Sequence, residues 1–172
     1  SVQRQKLHAV RGISFEVGAG ETVGIVGESG CGKSAAVQAI NRLTRGSVSG
    51  KILFEGKETI GPGRNIGMVF QDPMTSPNPT MKIWAQISEG LVYHQLATRE
   101  EAQAKAVELL RLVGVSDPEL RVHQYPHQFS GGMRQRVLIA IAVACNPKLL
   151  IADEPTTALD VTIQAQILDL IR

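Results

Sequence analysis

Cysteine, charge of one sign and long apolar runs are all scarce in this chain. Cys31 and Cys145 are its two cysteines, and their wide separation excludes the disulfide framework of a small secreted domain and favours a reducing, cytosolic compartment. The 18 basic and 16 acidic side chains leave a formal charge of +2, which is too low for a dedicated nucleic-acid binder. The longest apolar run, residues 137–145, is roughly half as long as a membrane-spanning helix.

The first part of the chain predicts a strand, a glycine-rich loop and a helix in succession. Residues 21–26 form a short β-rich run that ends at a glycine cluster, and apolar side chains then recur at helical spacing over residues 34–43. Further strands are predicted at residues 14–17, 51–54 and 66–70. Alternating and continuous apolar patterns together predict an α/β fold with a mixed sheet.

A proline-rich break at residues 72–80 precedes a stretch that is mostly helical in pattern. Thr98 and Glu101 are spaced as a capping box, and Gly114 stands where the end of a helix favours a positive φ. Residues 149–152 then form an apolar strand. The pattern therefore predicts a helical insert between two strands of one core.

The glycine-rich loop has the spacing G-x-x-x-x-G-K-S. Its residues are Gly27, Glu28, Ser29, Gly30, Cys31, Gly32, Lys33 and Ser34. Phosphate oxygens need several converging backbone N–H donors, which a glycine-rich loop offers at close approach, and the N-terminus of the next helix adds a favourable dipole. In such a loop Lys33 reaches the β- and γ-phosphates and the Ser34 hydroxyl binds Mg²⁺. A structural glycine turn with a surface lysine is the alternative, and the flanking strand and helix disfavour it.

Two carboxylates, Asp153 and Glu154, directly follow the apolar strand 149–152. From this position Asp153 would hold Mg²⁺ from the side opposite the glycine-rich loop. Glu154 beside it would accept a proton from an attacking water. Taken alone, the pair could equally be a solvated strand end, but the phosphate-binding loop upstream favours the catalytic interpretation.

A third feature is the sequence Ser130, Gly131 and Gly132 at the start of a long apolar helix. These residues present N–H groups and a hydroxyl, which predicts a second phosphate-binding edge. As an isolated pattern it is weak, and a simple helix N-cap is the alternative. One chain seldom needs two such edges.

These motifs occur in an order that resembles the ATP-binding subunits of ABC transporters, and the resemblance covers essentially the whole chain. The motifs are the glycine-rich loop, Gln71 after an apolar strand, F-S-G-G-M-R-Q-R, L-L-I-A-D-E-P and T-A-L-D. Longer stretches such as M-V-F-Q-D-P-M-T-S are similar to the dipeptide and oligopeptide importer branch, which also includes nickel importers. The resemblance implies an ABC ATPase fold in a single domain over residues 1–172. Its P-loop core would occupy about 1–71 and 147–172, with an antiparallel β subdomain, and its helical signature-motif subdomain about 72–146.

The resemblance also implies that two such domains meet head to tail, with ATP between the glycine-rich loop of one and the Ser-Gly-Gly segment of the other. Gln71 would contact Mg²⁺ or water and connect the site to the transmembrane subunits, and Asp160 would line the dimer interface. The implied catalytic residues are Glu154, Lys33 and Gln71, and the implied Mg²⁺ ligands are Ser34, Gln71 and Asp153. Nucleotide would contact residues 27–34 together with Ala35, Gln71, Ser130, Gly131, Gly132 and Asp160.

Some positions depart from the family pattern. Phe129 and Met133 replace the commoner leucine and glutamine of the signature and leave the phosphate-facing residues intact. The stretch from residue 54 to 66 is shorter than the branch usually has. We expect an adenine-stacking aromatic and a switch histidine to lie outside the chain, which we expect to be a fragment cut at both ends.

The leading hypothesis is an ATP hydrolase that powers import of peptides from the cytoplasmic face of a bacterial inner membrane, as a peripheral subunit. Its partners would be transmembrane permeases, a second ATP-binding subunit and, indirectly, a periplasmic or extracellular substrate-binding protein, with no nucleic acid. One alternative is a nickel importer, and another is a soluble ABC ATPase that acts on nucleic acid or ribosomes. A third is a nucleotide-binding regulatory module without turnover, which the presence of Glu154 disfavours.

Overall fold

The computed structural model describes residues 8–44, 46–58, 63–70 and 77–154. The chain divides into two compact units, the first made of Ser1–Pro62 with Arg172 and the second of Gly63–Ile171. In the described residues, the first unit has one helix and one pair of strands, and the second has several helices and another pair of strands. No helix in the described ranges is both long and apolar enough to cross a membrane.

The first unit contains helix α1 (Lys33–Ile40) and the strands β1 (Leu53–Phe54) and β2 (Lys57–Glu58). The two strands form an antiparallel hairpin in which Leu53 faces Glu58 and Phe54 faces Lys57. Glu55 and Gly56 connect them with φ values of 51° and 75°, the two positive angles that a tight hairpin turn requires. The predicted strand 51–54 is present as Leu53–Phe54, and the predicted helix 34–43 is present but begins at Lys33 and ends at Ile40.

The strands predicted at residues 14–17 and 21–26 are not formed. Residues 8–31 contain no helix or strand, although Glu21 N–H donates to Gly18 O at 3.1 Å in the turn between them. Their apolar side chains stay accessible, and Val26 is 96% exposed. A strand exists only where a neighbour supplies the ladder of hydrogen bonds, and no described segment pairs with this one. The strand predictions for these residues were wrong because an apolar run forms a strand only when another segment pairs with it.

The described residues of the second unit form two strands and four α-helices. In chain order they are β3 (Ile66–Val69), α2 (Ile83–Tyr93), α3 (Arg99–Leu112), α4 (Pro118–Arg121), a 3₁₀ turn (Pro126–Gln128), α5 (Gly131–Val143) and β4 (Leu149–Ala152). The strands run parallel, with Ile66 opposite Leu149 and Val69 opposite Ala152. A parallel pair needs a long crossover connection, and the predicted helical insert provides it.

Helices α2, α3 and α5 pack on one another, and α5 packs on β3, around a buried apolar core. The largest fully buried apolar side chains of this core are Ile83, Ile87, Leu110, Ile139, Val69, Val122 and Val137. Ser88 is also buried in α2, and its hydroxyl donates to Ala102 O of α3 at 2.9 Å. Burial of the hydroxyl is compatible with the core because it has this partner.

The helix ends predicted at Thr98, Gly114 and Ser130 are confirmed. Thr98 Oγ1 accepts from Glu101 N–H at 3.3 Å, and the Glu101 carboxylate accepts from Thr98 N–H at 2.8 Å, so both halves of the capping box are formed. After α3, Gly114 has a φ of 75°. Ser130 is the N-cap of α5, as its position before the long apolar run predicted.

Candidate functional site

The glycine-rich loop lies in the first unit, directly before α1. Gly30 and Gly32 have φ values of 78° and 101°, which side chains with a Cβ rarely adopt. A Cβ on Gly27 would lie 2.7 Å from Cys31 Sγ, and one on Gly32 would lie 2.6 Å from Ala9 O. Backbone conformation therefore favours glycine at Gly30 and Gly32, and the backbone contact with Ala9 leaves no room for a Cβ at Gly32. At Gly27 a Cβ would require the Cys31 side chain to rotate.

The Lys33 side chain folds back over this loop from the first residue of α1. Its ammonium group donates to Gly27 O at 2.8 Å and to Glu28 O at 2.9 Å. It also lies 3.9 Å from Cys31 Sγ. The loop carbonyls therefore hold a positive charge at the N-terminus of α1, where the helix dipole is also positive.

The N-terminal turn of α1 supplies the remaining groups of this site. Gly32 is the N-cap, and Ala36 N–H donates to Gly32 O at 2.9 Å as the first helical hydrogen bond. The N–H groups that precede this bond point out of the helix end, which is the arrangement that binds phosphate. Ser34 and Ala35 lie in this turn and are half-buried. The site therefore combines the chemical groups that a polyphosphate needs.

Asp153 and Glu154 lie in the second unit, immediately after β4. Asp153 N–H donates to Val69 O at 3.0 Å, so the hydrogen bonding between the parallel strands continues through this residue. Asp153 is 8% exposed, whereas Glu154 is exposed and has a φ of 50°. A left-handed backbone is uncommon at residues other than glycine, and five further residues of this kind adopt it in the described structure. The two adjacent carboxylates thus differ in burial and in backbone conformation.

The Ser-Gly-Gly segment forms the N-terminus of α5 in the second unit. Ser130 Oγ accepts from Met133 N–H at 3.3 Å, as a helix N-cap does. A Cβ on Gly131 would meet nothing within 4 Å, so the space beside this glycine is open. Phe129 is buried, and its carbonyl accepts from Arg134 Nε at 3.1 Å, which fixes the chain just before Ser130. The N-cap alternative and the phosphate-binding hypothesis are compatible in this geometry.

Two predicted site residues, Gln71 and Asp160, lie outside the described residues. Of the other predicted site residues, 27–35 belong to the first unit. The second unit contains Ser130, Gly131 and Gly132 at the start of α5, and Asp153 and Glu154 directly after β4.

One residue that the motifs did not identify is Gln86 in α2. Its side chain is buried and forms three hydrogen bonds with the segment that follows residues 71–76. A signal was present in the sequence, because Gln86 stands between Ile83 and Ile87 on an apolar stripe of helical spacing. A polar side chain on such a stripe indicates a buried group that needs specific partners.

The motifs and the fold define a class of protein. A sequence profile described as "ABC transporter" matches residues 10–157, and the chain belongs to that family. Its fold is that of an ATP-binding cassette. A dimeric post-hydrolysis structure of the ATP-binding cassette MJ0796, bound to ADP and Pi, superposes with a TM-score of 0.86 at 28% sequence identity. That match covers 99% of this chain and 76% of the MJ0796 chain.

The sequence comparisons identify similar proteins more narrowly. The oligopeptide transport ATP-binding protein OppD of Bacillus subtilis (strain 168) is 57% identical over 180 residues, which cover 97% of this chain and 50% of OppD. The dipeptide transport ATP-binding protein DppD of the same organism is 50% identical over 179 residues, which cover 96% of this chain and 53% of DppD. The chain spans about half the length of the curated relatives it matches.

Proposed function

We propose that this chain is the ATP-hydrolysing part of a subunit that powers an importer of dipeptides or oligopeptides. The support is membership of the ABC transporter family and high identity to proteins named for peptide transport. In this proposal residues 1–172 form one ATP-binding domain, with its core at about 1–71 and 147–172 and a helical subdomain at about 72–146. The subunit binds permeases peripherally at the cytoplasmic face of the inner membrane, and a substrate-binding protein delivers the peptide from the other side.

The observation that carries the ATP-hydrolysing part of the proposal is that one chain has two helix N-termini with the groups that a phosphate-binding edge needs. One is the loop before α1, with the Lys33 ammonium held over it, and the other is the N-terminus of α5 at Ser130. A head-to-tail dimer gives both edges a role, because the second edge of each copy then contacts the nucleotide held by the other. The similar cassette MJ0796 is a dimer bound to ADP and Pi, which supports this arrangement.

In this proposal, different residues of the chain bind the phosphates, activate the attacking water and form the dimer interface. The loop N–H groups and the Lys33 ammonium bind the β- and γ-phosphates, and Ser130 with Gly131 and Gly132 contacts the γ-phosphate of the partner copy's nucleotide. Glu154 accepts a proton from the attacking water, for which its exposure is suitable. Asp160 contributes to the dimer interface.

The proposed oxygen ligands fit Mg²⁺. The Ser34 hydroxyl, the Asp153 carboxylate and the Gln71 amide are hard oxygen donors, which Mg²⁺ prefers together with nucleotide phosphates. The burial of Asp153 suits a carboxylate whose charge is balanced by a cation. When bound, Mg²⁺ neutralises the charge that develops on the phosphate oxygens.

The test uses the full-length subunit assembled in membrane vesicles with its permeases and second ATP-binding subunit, with the substrate-binding protein supplied on the opposite side. ATP supplied on the subunit's side should drive uptake of a labelled peptide and release of phosphate, and Lys33→Ala should abolish both by removing the ammonium that binds the phosphates. Labelled Ni²⁺ tests the nickel importer as the alternative. ATP-dependent uptake of Ni²⁺ without peptide would contradict the peptide assignment, and phosphate release that needs RNA or ribosomes would contradict transport.

A further inference from the structure

The helix end that carries Ser130 has no side chains to pack at its first two positions. Gly131 and Gly132 begin α5, and a Cβ on Gly131 would meet nothing within 4 Å. Ser130 Oγ accepts from Met133 N–H at 3.3 Å as the cap of this turn. Glycine loses more conformational freedom on folding than any other residue, so further contacts are needed to hold such a turn in one conformation.

Arg134 supplies such a contact from the second turn of α5. Its Nε donates to Phe129 O at 3.1 Å, and its backbone N–H donates to Ser130 O at 2.9 Å. The backbone bond is the first helical hydrogen bond of α5, and the side-chain bond connects the residue before the cap to the helix across the two glycines. Arg134 is half-buried, so water competes less for the side-chain bond than at an exposed position.

Phe129 is itself held by the residues that pack around it. Its ring is 3% exposed, and Arg121 Cζ lies 6.0 Å from the ring centroid, at the outer limit of a cation–π contact. Its N–H donates to Pro126 O at 3.1 Å in the 3₁₀ turn. Both the ring and the backbone of Phe129 are therefore restrained, and the Arg134 bond extends this restraint to the turn that contains Ser130.

We propose that Arg134 is a positioning residue for ATP hydrolysis, because its guanidinium connects Phe129 to α5 and thereby fixes the turn that contains Ser130. The inference rests on the proposed function, in which this turn contacts the γ-phosphate of the partner copy's nucleotide. Donors that are fixed before the reaction stabilise the transition state without reorganising, and small misplacements are costly in rate. The isolated subunit binds nucleotide through the glycine-rich loop, so loss of the Arg134 bond should leave that affinity unchanged.

The test compares Arg134→Met with Arg134→Gln in the full-length subunit, assembled with its permeases and second ATP-binding subunit. Methionine keeps an unbranched side chain and has no N–H donor. The glutamine Nε2 is as many bonds from Cα as the arginine Nε, so glutamine still donates to Phe129 O although it has no charge. We expect kcat to fall roughly ten- to a hundredfold in Arg134→Met and less than about threefold in Arg134→Gln, with unchanged nucleotide affinity of the isolated subunit.

Two further measurements distinguish positioning from general destabilisation. Ser88→Ala is the control, because it also removes a side-chain bond to a backbone carbonyl, that of Ala102, and should keep the wild-type kcat where all variants are folded. Hydrogen exchange reports on the turn without depending on turnover. Met133 N–H, which is bonded to Ser130 Oγ, should exchange at least about fivefold faster in Arg134→Met and at nearly the wild-type rate in the other two variants.

The outcomes separate this inference from the function on which it rests. A loss of kcat with faster exchange in Arg134→Met, both restored in Arg134→Gln, supports it. A wild-type kcat or wild-type exchange in Arg134→Met overturns it and leaves ATP hydrolysis intact, as does an equal loss of kcat in Ser88→Ala, since the effect would then follow stability.

The glutamine variant decides alone if the methionine variant does not fold. A loss of kcat greater than about threefold in folded Arg134→Gln overturns the inference, because the charge and not the hydrogen bond would then be required. If the wild-type complex releases no phosphate, the proposed function fails, and the role of Arg134 in hydrolysis fails with it.

Discussion

Gly67 of β3 and Ala142 of α5 approach so closely that a Cβ atom does not fit at position 67. A Cβ on Gly67 would overlap Ala142 O and would lie 3.0 Å from both Leu150 Cδ1 and Pro147 Cγ. The helix capped by Ser130 therefore packs directly on the strand pair that precedes Asp153. The φ of Gly67 is not positive, so glycine is required here by the proximity of the two backbones and not by its own backbone conformation.

Gly67→Ala should therefore destabilise the protein. The carbonyl of Ala142 belongs to the backbone and cannot rotate away as a flexible side chain would, so we expect a loss of about 1–3 kcal/mol or more in unfolding free energy. Chemical denaturation measures it. Gly63→Ala is the control, because a Cβ there meets nothing within 4 Å. Equal stability of the two variants would contradict the close packing of α5 on β3.

Glu154→Gln should leave ATP binding intact and stop hydrolysis. Loss of a general base lowers a rate by about 10²- to 10⁴-fold, and glutamine keeps the shape of the side chain. We expect steady-state phosphate release to fall accordingly, and sizing chromatography in ATP to show a trapped dimer. Glu89→Gln makes the same chemical change at an exposed position of α2 and is the control. Near-normal turnover of Glu154→Gln would remove Glu154 from the assigned role.

Ser130→Arg should abolish turnover of the full complex with little effect on nucleotide affinity of the isolated monomer. In the head-to-tail arrangement this serine contacts only the nucleotide of the partner copy. Equilibrium titration compares it with Lys33→Ala, which should lose monomer affinity. Ser130 is also the N-cap of α5, so its replacement affects stability as well. Thr98→Ala is the control for this effect, because it removes a comparable cap at a cost of about 1 kcal/mol. A monomer affinity as low as that of Lys33→Ala would mean that Ser130 belongs to a site within its own chain.

The capping box of α3 should make stability depend on pH in the acid range. The hydrogen bond from Thr98 N–H, followed by that with the Thr98 side chain, holds the pKa of Glu101 below its ordinary value. A lowered folded-state pKa gives stability that is present above the unfolded pKa and is lost as pH falls through the folded one. Unfolding free energy should therefore drop between about pH 5 and pH 3, and less so in Glu101→Gln. Glu100→Gln keeps the Glu101 bonds and should show the wild-type slope.

The local features of the fold were predictable because neighbouring residues determine them. The capping box at Thr98, the positive φ of Gly114 and the N-cap at Ser130 depend on backbone and side-chain groups a few positions apart. The same holds for the glycine-rich loop, in which Lys33 bonds carbonyls five and six residues away. Close sequence spacing brings these groups together in any fold that forms the adjoining helix.

The sequence by itself thus determined the helical insert, the helix ends and the type of phosphate-binding loop. Tertiary structure decided which predicted strands form and which residues make close buried contacts, because these features depend on groups from distant parts of the chain. Residues 21–26 have the composition of a strand but no described partner, so they form none. Gln86 and Gly67 acquire their roles only when the segment around Asn78 and the carbonyl of Ala142 are brought against them. Hydrogen bonds and close contacts of this kind exist only once the chain has folded, so residue type and spacing alone do not determine them.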